Sequence, residues 1–221
     1  MSVLWYTGRG FGMVLMLVLT ASVVLGVLTE RGWRGRRLPG FVVAGLHRNL
    51  ALLAVPLLVL HGLTMVLDRY ARLGLVDILV PFASPYRRVW LGLGVAAGEL
   101  MLAVVATSLL RHRLGHTAWR LVHWVSYAVW PLALLHGLGT GSDTRAAWAL
   151  LLYLGCAGVV VLAAAARLLE DDDAPAWRVW SVVALLVAGV GVGIWVVAGP
   201  LQPGWAAAAG TPAALIRGGT R

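Results

Sequence analysis

The sequence has no lysine, a single cysteine and few charges of either sign. Charged residues make up 12% of its 221 positions, against roughly a quarter in an ordinary soluble domain. That shortage excludes a soluble domain of any size, because no continuous segment remains from which to build one. With Cys156 alone there is no intramolecular disulfide and no Cys-x-x-Cys pair. No glycine-rich dinucleotide fingerprint follows a strand pattern, so no flavin or nicotinamide site is expected in this chain. All 18 basic residues are arginine and the net charge is +9. The arginines stand at the ends of apolar runs, where they set topology and meet headgroups, so nucleic acid is not expected as a partner.

Long apolar runs are what the chain does have, with 60% hydrophobic residues and a mean hydropathy of +0.85. Six runs are each long enough to cross a hydrocarbon core of about 30 Å: 11–29, 42–67, 89–110, 119–139, 146–167 and 177–199. Backbone groups in lipid must be satisfied internally, and runs of this length without strand alternation predict helices. The expected fold is an all-α bundle of six transmembrane helices over residues 1–199, followed by a flexible tail over 200–221. The first run is too long for a signal-peptide core of roughly 7–15 residues and reads as a retained span. Between the second and third spans, LVDILVPF is expected to lie in the interface. A small excess of arginine on one side leans towards both termini outside.

Six histidines are present. His112 and His116 fall in the short basic loop RHRLGH and read as solvated. The other four lie inside spans two and four, in two windows of nearly the same wording: PLLVLHGL at 56–63 and PLALLHGL at 131–138. His47 and His61 are 14 residues apart and His123 and His136 are 13 apart, which at 1.5 Å per residue separates the two levels by about 20 Å. Spans two and four run in the same direction, so His47 matches His123 in depth and His61 matches His136. Ionisable side chains inside a membrane are costly and face a partner or a cavity. Opposed imidazoles are what the two axial positions of a b-type haem require, and with one cysteine two such haems would be held non-covalently. Gly62 and Gly137, and Gly45 before His47, would let a flat macrocycle approach the backbone. One feature resists an ideal helix: thirteen residues leave His136 about 140° from the face of His123. Pro131 frees a backbone bond between them and offers a place to rewind.

On these residues the chain resembles the ferric-reductase-like transmembrane domain family, which includes the haem domains of NADPH oxidases and ferric reductases. The similarity covers about residues 11–168, with the segment LVDILVPFASPYRRVWLGLG resembling bacterial members. It implies His47 with His123 on an inner haem iron and His61 with His136 on an outer one. It also implies cytoplasmic N-terminal ends for spans two and four, in a plasma-membrane protein with outside termini. The chain departs from the NADPH oxidases in continuing into no flavin and nicotinamide domain. A separate electron donor (reductase, flavoprotein or quinol) and an outer-face acceptor are therefore expected.

Other residues are open to two readings. Arg48, beside His47, is a candidate partner for a haem propionate or a snorkelling arginine. Arg87 and Arg88 are open to the same part at the outer level, or to lipid contact. Glu99, deep in span three, reads best as a neutral, hydrogen-bonded acid. The cluster Glu170–Asp173 is a docking patch for a donor or a solvated charge run. Trp90, Trp119, Trp124, Trp130, Trp148, Trp177 and Trp180 sit towards span ends, as an interface belt would. The expected function is a di-haem membrane cytochrome moving electrons across the bilayer. The alternative is a non-redox helical anchor or assembly subunit with structural histidines.

Overall fold

The computed structural model describes residues 2–30, 39–169 and 176–218, and the acidic cluster Glu170–Asp173 lies outside them. The described regular elements are helices: α1 (Val3–Glu30), α2 (Gly40–Leu67), α3 (Leu75–Leu79), α4 (Arg88–Leu109), α5 (Arg111–Leu114), α6 (His116–Trp124), α7 (Ser126–Thr140), α8 (Ala147–Leu168), α9 (Ala176–Ala198), α10 (Trp205–Ala208) and α11 (Ala213–Gly218). Six helical stretches are long and apolar enough to cross a membrane, the fourth being α6 and α7 together. They match the expected spans to within a few residues, except that the first begins at Val3 rather than residue 11. The extra turns are held by Trp5, buried with Ala71, Leu73 and Tyr86, and by the Ser2 hydroxyl, which donates to Asp68.

Helix α1 is the spine, lying along α2 and touching α7 and α8, while α4 packs on α7 and α8 on α9. Met16, Trp130, Leu134, Leu138, Tyr153, Cys156 and Val196 form the main buried cluster. Leu15, Ala54, Met101 and Val129 form a second. Cys156 is thus a small packing residue. Trp130 is buried and donates its Nε1–H to Thr20 Oγ1 at 2.9 Å, and that hydroxyl donates to Met16 O at 2.8 Å. Every polar atom of this mid-bundle link is therefore paired, as a low-dielectric interior requires. Helix α2 buries only Val43 and Ala54, and α9 only Val196. Many of their other apolar side chains are exposed, which costs nothing where the surroundings are as apolar as leucine. Trp124, Trp148, Trp177 and Trp180 are exposed, as belt residues would be. Helix α3 exposes Leu75, Val76 and Leu79.

The fourth span differs from expectation in where it breaks. Pro131 lies within α7, and the interruption is at Val125. There Val125 N–H donates to Val122 O at 3.0 Å and Ala128 N–H to Val125 O at 2.9 Å, both bonds three residues long. Winding of this kind turns each residue about 20° further than an α-helix, which carries His136 forward towards the face of His123.

The segment expected to be a flexible tail is tied down over residues 200–217. Pro200 is fully buried, Trp205 Nε1 donates to Gly139 O at 3.0 Å, and Leu215 packs against the Trp5 cluster. Arg87 is the clasp. It is 6% exposed and left-handed, at φ 43°. Its N–H donates to Gly210 O at 3.0 Å, its Nε to Thr211 Oγ1 at 2.9 Å and its Nη1 to Gly139 O at 3.1 Å. Arg87→Ala should cost about 2 kcal/mol or more, since each hydrogen bond to a charged group contributes roughly 1.5–3 kcal/mol. Limited chymotrypsin digestion of the detergent-solubilised protein should then cut at Trp205, where the unmodified chain resists.

Candidate functional site

The four membrane histidines meet in two pairs. Ring centroids are 6.3 Å apart for His47 and His123, with planes at 77°. They are 6.2 Å apart for His61 and His136, with planes at 85°. The second pair lies on the face that carries both chain termini, the first on the opposite face. A metal–imidazole bond is about 2 Å long, and the ring nitrogen stands about 1 Å from the ring centre. One ion bound between two imidazoles therefore sets their centroids about 6 Å apart. Both pairs fit that spacing.

Three of the four rings are held by one device. His61 Nδ1 donates to Gly8 O at 2.7 Å, His47 Nδ1 to Ser22 O at 2.8 Å and His136 Nδ1 to Trp90 O at 2.9 Å. A carbonyl only accepts, so each Nδ1 carries the hydrogen and each Nε2 keeps its lone pair for a ligand. Four residues after each of these carbonyls stands a glycine: Gly12, Gly26 and Gly94. A Cβ would come to 3.0 Å from the His61 ring at Gly12 and to 3.2 Å from the His47 ring at Gly26, and would overlap the His136 ring at Gly94. A side chain at i+4 covers the carbonyl of residue i, which is why serine and threonine hydroxyls bond there. Glycine opens that carbonyl to a histidine from the neighbouring helix. The spacing of Gly12 and Gly26 equals that of His47 and His61, a signal present in the sequence but hidden while glycines were matched only to a macrocycle.

The glycines singled out earlier differ among themselves. Gly137 is filled by the Tyr153 ring, whose Oη would lie 2.7 Å from a Cβ; Gly62 would meet Ile78 at 3.6 Å, and Gly45 faces open space.

Beside His61 and His136 lies a cavity of about 460 Å³, lined mainly by apolar side chains of α1, α2, α4 and α7. It falls within the usual range for small-molecule and cofactor sites, about 300–1,000 Å³. Among the described residues its one cationic lining side chain is that of Arg9, which the sequence reading left aside. Arg9 has an 11% exposed side chain and donates from Nε to Asp143 Oδ2 at 2.6 Å. The arginines expected at this level stand elsewhere: Arg87 is the clasp, and Arg88 is exposed and donates to Phe82 O at 2.6 Å. Arg48 is exposed beside His47 at the other level. Glu99 is exposed on α4 at the cavity rim, without a hydrogen-bond partner among the described residues, unlike the expected hydrogen-bonded acid. His112 and His116 are exposed.

At the opposite level Glu30 pairs with Arg167 at 2.5 Å. No group of three or more His, Cys, Asp or Glu side chains that could hold a metal ion occurs among the described residues. The arrangement therefore brings four imidazoles together as two opposed pairs.

Six helical stretches long and apolar enough to cross a membrane make the chain a multi-pass integral membrane protein. No family model, curated protein or solved structure matches it.

Gly94→Ala should destabilise the bundle by about 1–3 kcal/mol through overpacking against His136. Gly10, where a Cβ meets nothing, is the control: Gly10→Ala should stabilise by up to about 1 kcal/mol. Thermal unfolding in detergent reads both.

Proposed function

We propose that the chain is a di-haem b-type membrane cytochrome that moves electrons across the bilayer. The observation that carries this reading is the pair of imidazole–imidazole separations, 6.3 and 6.2 Å, at two levels of one bundle. A b-type haem at each level would supply one-electron chemistry. His47 and His123 would hold the inner iron, His61 and His136 the outer one. The main-chain carbonyls at Ser22, Gly8 and Trp90 fix the tautomer and orientation of three of these rings and raise their basicity. Arg9, steadied by Asp143, is available to an anionic edge of the outer group, and Arg48 to one at the inner face. Met16, Trp130 and Leu134 pack between the levels and exclude water there.

The face bearing both termini is taken as the outer one, in a plasma membrane, in keeping with the arginine excess on the other side. Electrons would enter from a separate cytoplasmic-side donor or a quinol and leave to an outer acceptor, as in the ferric-reductase-like domains that the chain resembles.

A dithionite-reduced minus oxidised spectrum of the purified chain, with haem counted per polypeptide, tests this. Two b-type haems are expected, falling to one in His136→Ala. Haem-free protein from haem-replete cells would leave the histidines a structural role and the chain a helical anchor.

A further inference from the structure

The cavity beside His61 and His136 is walled off at one end and open along one side. Towards the termini its wall is made by Trp5, Ala71, Leu73 and Tyr86, all buried. Every exposed residue of its lining lies on α2, α3 or α4: Val59, Leu63, Leu75, Leu79, Glu99 and Leu102. All but Glu99 are apolar, and α2 and α4 are membrane spans. The opening therefore faces lipid, and what enters comes from the bilayer with an apolar body. Along α1 the lining runs from Trp5 to Leu19, about 21 Å at 1.5 Å per residue.

The walled end holds more donors than acceptors. Among the described residues Arg9 hydrogen-bonds only Asp143, from Nε. Both Nη amino groups are thus left without an acceptor, in a side chain 11% exposed. The Nη2 atom lies against Gly141, which belongs to the same lining. One turn away on α1, the Trp5 Nε1–H is buried and has no partner among the described residues. Buried donors are ordinarily paired, so the partner this end lacks is an acceptor. Its charge is limited by Asp143, whose carboxylate already offsets the guanidinium. A phosphate monoester, at about −1.5 to −2, overbalances the pair. A carboxylate brings a single negative charge and matches the planar edge of arginine with two parallel hydrogen bonds.

We propose that this cavity binds a carboxylate carried on an apolar body, with the acid end at Arg9 and the body along α1 towards Leu19. Two sources share that chemistry: a fatty acid of the membrane and the carboxylate edge of a porphyrin. The proposal needs no metal and so goes beyond the cytochrome reading; were a haem to fill the outer level, Arg9 would hold its carboxylate edge. Asp143 fixes the guanidinium before the ligand arrives, which lowers the ordering cost of binding.

The test uses the full chain from haem-limited cells, in detergent, read by tryptophan fluorescence. Palmitate and metal-free protoporphyrin IX are each compared with their methyl esters, which keep the apolar body and lose the charge. At least one acid should bind about tenfold or more tighter than its ester, the scale of one hydrogen bond to a charged group. A preference shown with palmitate identifies the fatty acid, and one shown with the porphyrin identifies the macrocycle. Arg9→Gln should abolish the preference, whereas a merely disturbed cavity weakens acid and ester alike and leaves their ratio. Arg72→Gln, at an exposed arginine outside the lining, should keep it. Should Arg9→Gln fail to fold, the double variant with Asp143→Asn, which removes the whole ion pair, takes its place. Esters that bind as tightly as the acids, or a preference that survives the loss of Arg9, would overturn the proposal. Should the haem-limited chain itself not fold, the haem count of Arg9→Gln from haem-replete cells is read instead. One haem is then expected, and two would overturn the proposal. Haem counted on the unmodified chain keeps the two readings apart. Two haems without an acid preference leave only the cytochrome standing, and an acid preference in a chain that takes up no haem leaves only the carboxylate site.

Discussion

The bundle turns on one hydrogen bond, made three times: a histidine Nδ1–H reaching a carbonyl that its own helix already uses. A helical carbonyl has two lone pairs, and the helix claims one through the i+4 amide. The second is ordinarily roofed by the side chain at i+4. Removing that side chain exposes an acceptor inside the membrane, where a ring N–H has no water to turn to. Gly12, Gly26 and Gly94 do this for His61, His47 and His136, and each bond fixes tautomer, ring plane and helix–helix distance together. Helix α1 carries two of these windows, which accounts for its place as the spine against α2. Packing in lipid gains little from hiding apolar surface, so such polar fasteners do a large part of what a hydrophobic core does in water.

The polar groups divide by level. Near the termini, Arg9 and Asp143 form a largely buried ion pair at the edge of the cavity, and Arg87 binds α4 to the end of the chain. At the opposite level Glu30 and Arg167 form a more exposed pair, with side chains 50% and 35% exposed. A pair held away from water interacts more strongly and is less screened by salt. The level near the termini is thus the more rigidly defined of the two, and the break at Val125 falls at the other.

Much of this was legible beforehand. Span number, span ends and the depth pairing of the histidines follow from hydropathy and helical rise, two properties that depend on composition and spacing alone. The docking of residues 200–217 was not legible, because Ala, Gly and Pro there read as a loose end. The anchors of that segment are Trp205 and a left-handed Arg87 more than a hundred residues away. Pro131 drew the expected break to itself. The turn that tightens is at Val125, where nothing in the local sequence marks it. Arg9 was overlooked because it precedes an apolar run, and a helix that starts at Val3 rather than residue 11 places it within the bundle. The glycine windows were written in the spacing of α1 but needed a partner helix to give them meaning.

The clasp at Arg87 has a consequence for how the molecule is made. Residues 139, 210 and 211, which it gathers, are synthesised far apart in time, and the last two leave the ribosome only after all six spans have emerged. The level of His61 and His136 therefore cannot be clasped until residues 210 and 211 have emerged. Its two helices can pair early, but the strap that joins α4, the end of α7 and the carboxy-terminal segment is fastened last. That leaves an interval during insertion in which this end of the bundle is held by its helices alone.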